Sequence, residues 1–142
     1  MKITFKDYHK IVVDKINNET NVFLEEVCGE LESQTKRNTK VDTGKTKGSW
    51  QHIVDTQKHE GLVGSTYINA LWEELGTGIY ALNGNGRKKP WVYKNLKTGK
   101  FYTTVGKKPR RALYNAYNSI KNDIIKEAQR RFKNLWQKSL QF

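Results

Sequence analysis

Residues 49–76 read SWQHIVDTQKHEGLVGSTYINALWEELG, and within this stretch the hydrophobic period changes. Residues 49–57 read as extended chain, with Trp50, Ile53 and Val54 as the apolar members. Lys58-His59-Glu60-Gly61 is the expected hairpin turn, and Leu62-Val63-Gly64-Ser65 the returning strand. Beyond Thr66 the spacing becomes four, with Tyr67, Leu71 and Leu75 on one row and Ile68 and Trp72 on the next. That spacing predicts a short helix over residues 67–75, and Gly76 stands where a left-handed residue would end it.

Both flanks are helical in pattern. Val12, Ile16, Phe23, Val27 and Leu31 recur at steps of four and seven, with Ile11 and Leu24 beside the stripe, which predicts a helix over residues 6–37. Glu25, Glu26, Glu30 and Glu32 keep the other side wet, while Asn17-Asn18 and Gly29 lower the propensity and allow a kink. Between this helix and the hairpin, Asp42 and Thr43 suit an Asx-turn or N-cap, and Gly44 tolerates strained dihedrals. A last helix is expected to begin at Pro109 and to run to about residue 136. Leu113, Ala116, Tyr117, Ile120, Ile124, Ala128, Phe132 and Leu135 fall on one face of it. From residue 77 to 108 the chain is rich in Gly, Asn and Lys. Trp91-Val92-Tyr93 and Phe101-Tyr102-Thr103-Thr104 are β-prone and are joined through residues 95–99. The expected fold is therefore one α+β domain spanning residues 1–142. Long N- and C-terminal helices cover one face of a small antiparallel sheet, and residues 79–108 project as a basic ribbon.

Composition narrows the function classes. The chain has 142 residues, only 36% of them hydrophobic, but four Trp, seven Tyr and five Phe supply anchors for a core. The single cysteine, Cys28, excludes an internal disulfide framework and a Cys-based zinc finger. No apolar run approaches membrane-spanning length, and residues 1–7 lack the apolar segment of a secretory signal, so a soluble protein made in a cytoplasm is expected. The net charge of +12 is unevenly placed: residues 1–74 carry 10 basic and 12 acidic side chains, whereas residues 75–122 carry 11 basic and no acidic ones. Charge of one sign so concentrated favours an anionic partner, either nucleic acid or an acidic protein face.

Catalytic patterns are weak. Gly44-Lys45-Thr46 resembles the end of a phosphate-binding loop, but Thr39 stands where the first glycine belongs and no buried strand precedes it. Gly76-Thr77-Gly78 does not complete a dinucleotide fingerprint, because position 81 is Ala. His52, Asp55, His59 and Glu60 lie on one hairpin, yet residues three apart on a strand face opposite ways, and a solvated hairpin is expected rather than a metal or nuclease site. Cys28 reads as a small buried residue. No catalytic residue, metal, cofactor or small-molecule substrate is therefore expected. The basic ribbon is the remaining feature: Arg87, Lys88, Lys89, Lys107, Lys108, Arg110 and Arg111 bracket Trp91 and Tyr93. Such residues can neutralise phosphates and stack on bases, or dock a protein partner.

Three ordered stretches are similar to a known family. Val41-Asp42-Thr43-Gly44 is followed by Gly48-Ser49-Trp50; Val63-Gly64 leads to Tyr67-Ile68-Asn69-Ala70 and then Glu74-Leu75-Gly76-Thr77-Gly78; and Lys108-Pro109-Arg110-Arg111-Ala112-Leu113 precedes the last helix. In order and spacing the chain resembles the small head–tail connector, tail-completion or minor tail proteins of long-tailed bacteriophages. The resemblance implies a virion component, made in the host cytoplasm and residing at the head–tail junction. Its expected partners are other head-connector and tail proteins and further copies of itself in a ring, with non-specific DNA contact possible and no membrane. The alternative is a stand-alone, non-specific nucleic-acid-binding protein that uses the same ribbon.

Overall fold

A computed structural model describes residues 7–139. The expected helix start at residue 6 and the segment read for a secretory signal lie outside or at the edge of that range. Four α-helices and two antiparallel hairpins follow one another in the order α1 (His9–Asn38), α2 (Lys45–Gly48), β1 (Trp50–Asp55), β2 (Glu60–Ser65), α3 (Ile68–Leu75), a 3-10 turn (Gly78–Tyr80), β3 (Trp91–Lys94), β4 (Phe101–Thr104) and α4 (Ala112–Ser139). The fold is a small α+β arrangement with long N- and C-terminal helices.

Helix α1 runs unbroken through Asn17-Asn18 and Gly29. Tertiary packing overrides the local propensity there. One side of α1 lies along the β1–β2 hairpin, whose register pairs Trp50 with Ser65 and Asp55 with Glu60. Alternation turns Trp50, His52 and Val54 toward α1 and leaves Ile53 and Leu62 outside, 69% and 71% exposed. Helix α4 packs mainly along α1 rather than on the strands. Its small residues Ala112 and Ala116 are fully or nearly buried, and Asn38 Nδ2 donates to the Ala112 carbonyl at 3.2 Å. Further along the seam Phe23 meets Phe132 edge-to-face at 6.3 Å. Beside them, Arg131 is held between Glu19, Glu26 and Glu127. The hydrogen bonds from Arg130 and Arg131 hold the Glu127 carboxyl down at about 2.

The hairpin ends at Asn21, whose side chain reaches the Thr56 carbonyl and His59. Beyond it α1 continues as far as His9, with Arg131 of α4 reaching it at Glu19. At 1.5 Å per residue, this part of α1 rises about 18 Å past the hairpin.

Several boundaries depart from the sequence reading. The hairpin turn falls at residues 56–59 instead of 58–61, and Glu60 and Gly61 belong to β2. Asp55 Oδ1 accepts the backbone N–H groups of Gln57 and Lys58 at 2.9 and 3.0 Å, which starts the reversal two residues early, and His59 at φ 55° completes it. Helix α4 begins at Ala112 and not at Pro109. The Glu73 carbonyl accepts the N–H groups of Arg110 and Arg111, Arg111 sits at φ 56°, and only then does the chain turn helical. The new helix is capped from outside: Glu74 accepts from the backbone N–H groups of Leu113 and Tyr114 at 3.0 and 2.9 Å. Thr77 and Gly78 do not release the chain into a loose loop. Thr77 N–H bonds the Lys107 carbonyl at 2.9 Å and Ile79 N–H the Val105 carbonyl at 3.0 Å, clasping the root of the β3–β4 ribbon. Only glycine fits this clasp, since a Cβ on Gly78 (φ 61°) would lie 2.0 Å from the Val105 oxygen.

A carboxylate on two backbone donors of a helix start is worth about 1–2 kcal/mol. Glu74→Ala is expected to lower unfolding stability by that amount in urea titrations, with faster hydrogen exchange at the Leu113 and Tyr114 amides. An unchanged urea midpoint would contradict the cap.

Candidate functional site

The three stretches that carry the family-like pattern meet around one open cleft of about 670 Å3. One wall is the α1–α2 junction, from Lys40 to Thr46. It is fixed by Thr39, whose buried hydroxyl donates to the Thr35 carbonyl at 2.7 Å and accepts the Trp50 indole N–H at 2.9 Å. Gly44, at φ 82°, then turns the chain into α2. Thr39 is thus a helix-ending residue, and Gly44-Lys45-Thr46 is a wall of the cleft without the strand that a nucleotide loop requires.

The second wall is α3, presented by Tyr67, Asn69, Trp72 and Glu73. Tyr67 is set by its N–H to Ser65 Oγ at 3.0 Å, and its hydroxyl accepts from Asn69 Nδ2 at 2.9 Å. The helix is turned opposite to the usual sense. Ala70 is its buried residue, Glu73 and Glu74 face the ribbon root and α4, and Ile68, Leu71 and Trp72 remain about half exposed. Gly76 ends it with its N–H on the Trp72 carbonyl and φ of 74°. Thr77, Lys107 and Arg110 close the third side.

Charges in the cleft are only partly compensated. Glu73 forms ion pairs with Lys107 and Arg110. Arg110 Nε lies 3.1 Å from the buried Glu73 Oε2 but off the line of a hydrogen bond, so the contact there is an ion pair alone. Lys97, from the ribbon turn, pairs with Asp42 and holds its carboxyl below the usual carboxylate range. Lys40 and Lys45 have no carboxylate partner at ion-pair distance among the described residues.

The ribbon itself pairs only β3 with β4, Trp91 opposite Thr104 and Tyr93 opposite Tyr102. Trp91, Tyr93 and Tyr102 share one face, with the two tyrosine rings 6.0 Å apart, while Val92 and Phe101 are exposed on the other. The expected contact residues divide into two sets. Arg87, Lys88 and Lys89 are exposed on the loop leading into β3, with Arg87 5.6 Å over Trp91. Lys108 lies 5.7 Å over Tyr80. Lys107 and Arg110 are engaged by Glu73 in the cleft, and Arg111 stacks 3.5 Å over Tyr114 at the helix entry. Lys94 and Lys100, outside the expected set, are also exposed on the ribbon.

The hairpin cluster differs from the solvated one expected. His52 inserts between the hairpin and α1, with Nδ1 2.5 Å from Glu32 and Nε2 3.1 Å from Glu25. Lys36 pairs with the same Glu32. His59 contacts Asn21 at 2.8 Å, and Asp55 holds the turn. Glu25 and Glu32, seven residues apart, share one face of α1 with Cys28, and that spacing was the available signal for a face turned inward. Cys28 is buried, and burial, with Glu25 nearby, pushes its thiol up. Among the described residues no helix is long and apolar enough to cross a membrane.

Family models, curated proteins and solved structures were each compared with this chain, and none matches it.

Glu32, followed by Glu25, raises the His52 pKa above its ordinary value of about 6.5. The group therefore binds its proton more tightly when folded. Its contribution to stability is complete below about pH 6.5 and disappears as pH rises through the folded value. The difference in melting temperature between wild type and His52→Gln is expected to be largest near about pH 6 and to shrink toward about pH 9. A difference independent of pH over that range would contradict the bridge.

Proposed function

We propose that this chain is a structural subunit of a phage virion, a head–tail connector or tail-completion protein that acts by docking and ring assembly and makes or breaks no bond. The observation that carries the reading is the use to which the three family-like stretches are put. Asp42, Thr43 and Gly44 form a joint, Tyr67 and Glu74 set α3 against its neighbours, and Gly76, Thr77 and Gly78 clasp the ribbon. They serve to position two unlike projections on one body. One is the far end of the α1–α4 helix pair, and the other the cationic β3–β4 ribbon.

Unlike surfaces on one subunit support head-to-tail contact, which closes into a ring when the rotation per copy fits. The ribbon, exposed on both faces and free of acidic residues, is suited to reaching an adjoining ring or the DNA passing through it. Its partners would be head-connector and tail proteins, its working location the head–tail junction, and its place of synthesis the host cytoplasm. The second reading, a stand-alone nucleic-acid binder, draws on the same uncompensated cations with Trp91 and Tyr93 between them.

The test is localisation in purified particles by electron microscopy, combined with replacement of residues 84–104 by a short Gly-Ser link. The expected outcome is density at the head–tail junction for the intact chain, and for the variant a folded subunit that leaves heads and tails unjoined. Joining by the variant would overturn the docking role. Tight, steeply salt-dependent DNA binding by the isolated subunit, with no density at the junction, would establish the second reading instead.

A further inference from the structure

We infer that the cleft between α2, α3 and the ribbon root is a docking site for an acidic, aromatic-bearing peptide segment of a partner protein. The inference goes beyond the virion reading and holds independently of it, because it rests on the cleft alone.

Three features specify the occupant. The first is charge: Lys40 and Lys45 stand at the cleft with no carboxylate at ion-pair distance among the described residues, and Lys107 and Arg110 share the single carboxylate of Glu73. Four cations against Asp42 and Glu73 leave a net positive wall that attracts carboxylates. The second is apolar surface. Trp72 belongs both to the cleft and to the exposed row of Ile68 and Leu71 on α3, so a charged pocket runs directly onto an uncovered hydrophobic strip. An occupant with an aromatic side chain beside its carboxylates covers both. The third is the pair of carboxylates in the wall itself, Asp42 and Glu73. A peptide carries backbone N–H donors between its acidic side chains, whereas a phosphodiester backbone offers acceptors only. A nucleic-acid strand would bring its unbroken row of phosphates against both carboxylates. The volume, about 670 Å3, lies within the range of about 300–1,000 Å3 usual for small-ligand pockets, room for a few side chains of a peptide.

Of the ribbon cations Lys97 reaches the cleft, through Asp42, while Arg87, Lys88 and Lys89 are not among its lining residues, so the two surfaces can be separated experimentally. The full chain, labelled with 15N, would be titrated with a short blocked peptide of alternating glutamate and phenylalanine, and in parallel with a thymidine oligonucleotide of equal charge. The peptide is expected to shift the amides of Gly44, Thr46 and Thr77. The combined substitution Lys40→Glu and Lys45→Glu should weaken its binding about tenfold or more, which is about 1.4 kcal/mol or more. Lys45→Glu alone and Trp72→Ala should each weaken it measurably, and Lys126→Glu, on α4 outside the cleft, should leave it unchanged. Retained helical circular dichroism would show that each variant is folded; if the double variant is not, Lys45→Glu alone decides. Peptide shifts confined to residues 91–104, unchanged affinity in the folded Lys45→Glu and Trp72→Ala proteins, or tighter binding of the oligonucleotide through the same cleft amides would each overturn the proposal.

Discussion

Two adjacent carboxylates at the end of α3 hold the second half of the molecule in place. Residues 75–122 contain no acid, so every cation there must find its counter-charge elsewhere in the chain or remain uncompensated. Glu73 and Glu74 are the last acids before that block. Glu73 takes Lys107 and Arg110 on its side chain and the N–H groups of Arg110 and Arg111 on its carbonyl. Glu74 supplies the cap that α4 lacks within its own sequence. From this one turn the ribbon root, the entry into α4 and the open side of the cleft all take their positions. The wall of the cleft is therefore also a joint of the fold, and its charge and its architecture are coupled.

Periodicity made the elements legible, and contacts distant in sequence decided where they end. Leu113, Ala116, Ile120 and Ile124 announce α4 at their own spacing, but its first residue depends on a glutamate 39 residues upstream. Pro109 was a sound local signal that lost to Glu73, which keeps Arg110 and Arg111 in a turn. The strand pattern of residues 50–55 was readable, yet the turn began early because Asp55 bonds its own successors. Helix α3 shows a limit of a different kind. Its apolar row was evident, but an amphipathic pattern does not say which side faces the body. Here the side bearing Ala70, Glu73 and Glu74 does, because the Glu74 carboxylate takes backbone donors of α4 and the Glu73 carboxylate pairs with Lys107 and Arg110. His52 was misread for the same reason: the glutamates of α1 looked like a wet face until the hairpin was laid upon them.

The cleft was legible in its parts but not as a place. Asp42 to Gly44, Tyr67, Glu74 to Gly78 and Arg110 to Arg111 were each singled out locally, and nothing in a linear reading brings residues 40–46 to residue 107. Lys40 escaped notice, Lys45 was read only within an incomplete phosphate loop and Trp72 only as a member of a helix row, because a lone lysine or helix tryptophan has no distinguishing neighbour in sequence. The basic block also proved to be two populations. Lys107, Arg110 and Arg111 are engaged by the body, and Arg87, Lys88 and Lys89 face solvent. The first group is partly neutralised by Glu73, and the second has no carboxylate at ion-pair distance among the described residues.

The sole thiol of the chain lies under the hairpin, against Gly61, where a Cβ would come within 2.3 Å of its sulfur. Burial keeps it protonated and therefore unreactive while β2 stays seated on α1. Alkylation of Cys28 consequently records how often that strand lifts away. The molecule thus contains a native stopwatch for its own breathing, readable by mass spectrometry without any label being engineered into it.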